Sequence, residues 1–186
     1  MANIADELRD ALNSVVSGIG DVFATTRDVT KTNIVQSLKA GGDVASTSMD
    51  VSASVISDGV KVVSETGVSL TKAIAGLVTG AIEGVKETGG DVTTTTEQVA
   101  SETIRSVHNV GGDIAGAAVG AVEGAISAAS DIGADSGELA KDAVIGTLKA
   151  ADEIGSEAGG LVRKALLSAA ALPHDIIDAL LTGKTN

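Results

Sequence analysis

Apolar positions recur along this chain at a fixed spacing. From Val44 onward the sequence divides into thirteen blocks of 11 residues, whose first members are Val44, Val55, Thr66, Leu77, Thr88, Val99, Val110, Ala121, Ile132, Ala143, Ile154, Ala165 and Ile176. Eleven of the thirteen are apolar, against about six expected from an apolar fraction of 44%. Fifth and ninth places are mostly small or apolar too, as in Leu70 and Ile74 or Ile114 and Ala118. Eleven residues over three turns is about 3.67 per turn, the period of an apolar stripe with a gentle right-handed drift. The fourth place is often acidic (Asp58, Asp91, Glu102, Asp113, Asp135, Glu157) and reads as a solvated face. Asp58/Lys61, Glu102/Arg105 and Glu138/Lys141 stand at the i, i+3 spacing that supports a helix.

A second period doubles the first. A Gly motif returns every 22 residues at Gly67, Gly89, Gly111, Gly133 and Gly155, followed within two residues by Ser or an acid. Earlier copies are Ile19-Gly20-Asp21-Val22 and Gly41-Gly42-Asp43-Val44, and the phase slips by four residues between Val44 and Gly67. Two physical readings compete. In one, each Gly lies inside a long helix and lets a neighbouring backbone approach closely. In the other, each Gly ends a helix and the following Asp or Ser caps the next, giving a stack of short antiparallel helices with Gly turns. The unbroken 11-residue phase favours the first, because loops rarely keep helical register. The expected fold is therefore all-α: long amphipathic helices with 11/22-residue (hendecad) repeats and Gly/Ala-rich close packing, in the manner of a coiled coil.

On that reading Gly67, Gly89, Gly111, Gly133 and Gly155 are the close-approach points, with Leu77, Val99, Val110, Ile114, Ile132 and Ile154 as the apolar contacts for helix packing and assembly. Gly111→Leu is then expected to disrupt assembly more than Ser130→Leu. Each Gly inside a helix costs about 0.8 to 1 kcal/mol relative to Ala, so a lone helix could not carry them. The chain must pack on itself, on copies of itself or on an apolar surface.

Residues 1–17 read as an N-terminal amphipathic helix, with Ile4, Leu8, Ala11, Leu12, Val15 and Val16 at helical spacing. Residues 18–172 form the repeat region, in which Thr93 to Thr96 reads as a weak, frayed turn. Residues 173–186 form a short terminal helix and tail: Pro173 breaks the chain, Gly183 ends the helix and Lys184-Thr185-Asn186 trails loosely.

Composition narrows the chemistry. Phe23 is the one aromatic residue, there are 23 Gly and no Cys, and core mass must come from Val, Ile, Leu and Ala. Small side chains make thin interfaces between close backbones. A net charge of −12 argues against nucleic acid and strongly anionic membranes. No catalytic constellation is visible. His108 lacks a partner at ligand spacing, and His174 has only Asp178 four residues on. The Gly-rich run from Gly111 to Gly124 lacks the Lys-Ser/Thr of a phosphate loop. Asp91 and Asp113 lack the oxygen ladder of a calcium loop. The expectation is a protein that is not an enzyme, with no cofactor, metal or small-molecule substrate. The N-terminal stretch shows no basic and apolar signal regions, and no uncharged apolar run reaches the roughly 18 to 20 residues of a membrane span. A cytoplasmic location is the expectation, with export by a dedicated route as the alternative.

The 11-residue amphipathic repeats, with phrases such as Val78-Thr79-Gly80-Ala81-Ile82-Glu83-Gly84-Val85-Lys86-Glu87, resemble the synuclein, perilipin and late-embryogenesis-abundant class over residues 44–170. The resemblance implies repeats that become helical on lipid surfaces or on drying. The chain is more apolar, poorer in Lys and richer in paired Gly than that class. Two functions are expected. The first is a structural protein that self-assembles into a homo-oligomer such as a filament, tube or sheath. The alternative is an amphipathic coat on a neutral lipid surface: a vesicle, lipid body or storage granule.

Overall fold

The computed structural model describes residues 3–18, 20–41 and 44–182. The described residues form nine helices and no strand, so the fold is all-α. The helices are α1 (Ile4–Val16), α2 (Val22–Gly41), α3 (Val44–Thr66), α4 (Leu70–Glu87), α5 (Val92–Asn109), α6 (Ile114–Ile132), α7 (Ser136–Ile154), α8 (Ser156–Ser168) and α9 (His174–Thr182). Ile19, the Gly42-Asp43 copy of the motif, Gly183 and the tail 184–186 lie outside the described residues.

Long helices running through the 22-residue Gly motif are not what forms. The recurring Gly residues stand between helices. Gly67, Gly89, Gly111 and Gly133 have φ of 70°, 83°, 70° and 70°, the left-handed region that disfavours every other residue. After α4 the N–H of Gly90 donates to the carbonyl of Val85 at 2.9 Å and that of Gly89 to Lys86 at 3.1 Å. After α5 Gly112 donates to Val107 at 2.8 Å and Gly111 to His108 at 3.0 Å. This paired pattern is the Schellman ending, which satisfies carbonyls a helix end would leave bare. The second Gly of each pair has its own cause: a Cβ on Gly112 would lie 2.9 Å from Val107 Cγ1, and one on Gly90 would strike Val85 Cγ1.

The Asp that follows starts the next helix. Asp91 Oδ1 accepts from the N–H of Thr93 at 2.9 Å, Asp113 from Ala115 at 3.0 Å and Asp135 from Glu138 at 2.9 Å. Three of the acids read as a solvated face are therefore helix caps. Thr93 to Thr96 is a well-bonded first turn rather than a frayed one. The Thr95 and Thr96 hydroxyls are buried and donate to the carbonyls of Asp91 and Val92 at 2.6 and 2.7 Å.

The phase survives these turns because the units from α4 to α7 have the same length. α4, α5, α6 and α7 begin at residues 70, 92, 114 and 136, each 22 after the last. The four-residue slip falls inside α3, which at 23 residues is about one turn longer than its 18-residue successors α4 and α5.

Packing runs between alternate helices. α2, α4 and α6 lie side by side, as do α1, α3, α5 and α7, and each helix also touches its neighbours in the chain. Gly76, Gly80 and Gly84 on α4 meet in turn Phe23 and Thr26, Arg27 and Thr30, and Lys31 and Ile34 on α2. Gly116, Gly120 and Gly124 on α6 meet Thr71, Ile74, Ala75 and Val78 on α4 in the same order. Contacts that advance together show that alternate helices run parallel. α4 lies at the centre, buried without interruption from Ala73 to Val85. Its one buried carboxylate, Glu83, is met by Arg27 Nε at 2.9 Å and Lys31 Nζ at 3.4 Å from α2. A charge so enclosed is tolerable only when paired in this way.

Candidate assembly surface

Close backbone approach is made by a different set of glycines from the ones the 22-residue period singles out. A Cβ on Gly124 would lie 2.5 Å from the Ala75 carbonyl oxygen, and one on Gly120 2.5 Å from that of Thr71. Cβ atoms on Gly76, Gly80 and Gly146 would run into the backbones at Phe23, Arg27 and Glu97. Across the α4–α6 seam the Thr79 hydroxyl lies 2.9 Å from the Gly124 carbonyl and 2.7 Å from that of Ala75. These seams use the i, i+4 spacing that puts small residues on one helix face and lets backbones close in. That spacing, in Gly76-Gly80-Gly84 and Gly116-Gly120-Gly124, is the readable signal the 11-residue count passes over.

The residues expected to mediate packing divide accordingly. Gly67, Gly89, Gly111 and Gly133 are exposed, and an added Cβ there or on Gly155 would meet nothing within 4 Å. They end helices, so the premise behind comparing Gly111→Leu with Ser130→Leu is corrected. Leu77 and Val99 are fully buried at mid-helix. Ile114, Ile132 and Ile154 sit at helix ends, partly buried against the core, and Val110 is 37% exposed in a turn. Of the first helix's apolar set, Ile4, Leu8 and Leu12 are buried while Val16 is exposed.

Ion pairs stitch alternate helices together. Arg9 meets Glu65 at 2.9 Å between α1 and α3, and Arg105 meets Glu153 at 2.6 Å between α5 and α7. Arg105 thus bonds across helices rather than to Glu102 on its own. Asp58 and Lys61 do pair along α3, at 3.5 Å. His108 and His174 are both exposed, and among the described residues no three His, Asp or Glu side chains gather to hold a metal ion.

The repeat changes at α8. Only Gly155 separates it from α7, and α8 begins at residue 156, 20 rather than 22 after the start of α7. A shortfall of two residues turns a helix by about 200°. The outcome is visible residue by residue. Two periods on from Gly116, Gly120 and Gly124 stand Gly160, Lys164 and Ser168, and all three are exposed. Leu161 and Leu167 on the same side are 47% and 41% exposed. The opposite side, with Ala158, Val162 and Leu166, is buried instead. Arg163 fixes this orientation through two bonds to Asp152 on α7, at 2.8 and 2.6 Å. α8 therefore presents outward the register that in α4 and α6 docks on a neighbouring helix. No helix of the described residues is long and apolar enough to cross a membrane. Among known proteins, no family model matches the chain and no curated protein matches it.

Proposed function

We propose that the protein is structural: a 22-residue repeat array, read as a stack of consecutive helical hairpins, that self-assembles with copies of itself into a homo-oligomer of filament, tube or sheath type. The observation that carries this reading is the outward face of α8. Gly160, Leu161, Lys164 and Leu167 stand exposed in the register that elsewhere in the chain is a helix-packing seam. Repeat arrays bury each unit against its neighbours, and a terminal unit that keeps apolar residues outside is a natural point of association.

Sedimentation velocity and negative-stain microscopy over a range of concentrations test the proposal. Growth of the assembly with concentration is expected, and a monodisperse monomer throughout would remove it. A neutral lipid surface is the competing partner for Leu161 and Leu167. Circular dichroism separates the two. Full helicity in buffer, unchanged by neutral vesicles, accords with assembly. Low helicity in buffer with a large gain on vesicles accords with the coat.

A further inference from the structure

We propose that copies join head to tail, the exposed face of α8 in one copy docking antiparallel on the exposed face of α2 in the next. The proposal rests on the self-assembly reading above and names its interface. α2 and α8 are the first and last members of one row of side-by-side helices, so each has a side that no helix among the described residues covers. On α2 that side carries Ala24, Asp28, Thr32 and Gln36, all exposed.

Charge selects this pairing. Lys164 lies mid-face on α8 and Asp28 mid-face on α2, and no ion pair engages either among the described residues. A two-fold contact of α8 with α8 would set Lys164 against its own copy, and α2 with α2 would do the same to Asp28. Like charges brought together at an interface exclude those partners. The heterologous contact sets Lys164 on Asp28.

Charge also selects the direction. Glu157 lies about two turns before Lys164, and Lys39 about three turns after Asp28. Antiparallel docking brings Glu157 toward Lys39, with an axial offset of roughly 6 Å that two long side chains span. Lys39 is 67% exposed and, among the described residues, paired with Glu87 at 3.9 Å. Parallel docking would instead bring Glu157 toward Asp21. Gly160 on one face and Ala24 on the other keep the backbones close enough for Leu161 and Leu167 to reach across, as the Gly seams do inside the chain. A contact between two different surfaces does not close on itself and gives open polymers unless the rotation makes a ring.

The experiment uses the full chain and two exposed charge reversals, Asp28→Lys and Lys164→Glu, with circular dichroism as the check that both keep the wild-type helicity. Each variant alone should need about tenfold more protein than wild type to reach the same weight-average mass. An equimolar mixture of the two should restore wild-type assembly, because every junction then again joins opposite charges. If wild type assembles but both variants match it, the interface is overturned and self-assembly stands. If Lys164→Glu associates more strongly with wild type than either does alone, α8 pairs with α8 and the proposal is overturned. A wild-type chain that stays monomeric overturns both readings.

Discussion

A methyl group at Gly124 would sit 2.5 Å from the carbonyl oxygen of Ala75 and 3.0 Å from Val78 Cβ. Neither can swing aside, because one is backbone and the other is fixed to it. Overpacking of this kind costs about 1 to 3 kcal/mol, more than the roughly 1 kcal/mol Ala gains over Gly as a helix former. Gly124→Ala is therefore predicted to lower stability. The same substitution at Gly160 meets nothing within 4 Å and should raise stability by up to about 1 kcal/mol. Urea unfolding in dilute solution compares the two, and a stable Gly124→Ala protein would show that α4 and α6 do not approach as closely as described. Gly111 belongs to a third class. It has open space but a φ of 70°, so replacing it costs roughly 1 to 2 kcal/mol in backbone strain alone. The three glycines are the same letter in the sequence. Spacing separates Gly124 from Gly111, four residues within a seam against 22 between turns, but Gly160 shares the seam register and differs only in its exposure.

At the scale of the element, the start of α5 depends on one carboxylate. The hydrogen bond from the Thr94 hydroxyl, at 2.8 Å, holds the Asp91 carboxyl below the usual carboxylate range, helped by the backbone N–H groups of Thr94 and Thr93 and opposed by burial. A depressed value means that stability is present above the unfolded value and is lost as pH falls through the folded one. Asp91→Ala should cost about 0.5 to 2 kcal/mol near neutral pH, with the gap to wild type narrowing in acid. Asp142 on α7 has the opposite sign. Burial, and after it the charges of Glu138 and Glu97, raises its carboxyl, and its Oδ2 is buried with no hydrogen-bond partner among the described residues. The folded protein favours the protonated form, so stability present below the unfolded value is lost as pH rises through the folded one. Asp142→Asn should therefore be more stable than wild type near neutral pH, the gap closing as pH falls. Thermal melts across the acid range measure both, and a gap that stays constant or widens as pH falls, for either variant, would refute its assignment.

These caps explain what the sequence reveals about the elements and what it conceals. Gly-Gly-Asp is a legible stop and start, and helicity follows from the apolar spacing. The preserved phase points to long helices only if turns are taken to vary in length. Here α4 through α7 repeat at one length, and the register passes through three turns unharmed. The face of α8 is hidden for a related reason. Its exposure follows from a two-residue shortfall in α7 and its turn, which cannot be counted until the helix starts are known.

Across the whole molecule, burial is graded from the middle to the ends. Thirteen consecutive residues of α4 are buried, and α4 touches α2, α3, α5 and α6. α8 buries Ala158, Gly159, Val162 and Leu166 and leaves Leu161 and Leu167 outside. In an array stabilised by contacts between neighbouring units, opening starts where a unit has fewest neighbours and costs less than global unfolding. Amide exchange should therefore be slowest in α4, where it reports the full unfolding free energy, and markedly faster in α8 and α9. Assembly adds a second test to the same measurement. Above the concentration at which copies associate, α8 and α2 should gain protection together while α4 stays unchanged, because only the end faces acquire new neighbours. Equal protection of α8 and α4 in the dilute protein would show one cooperative unit. The graded array, and with it the idea that α8 is a lightly held end awaiting a partner, would then be lost.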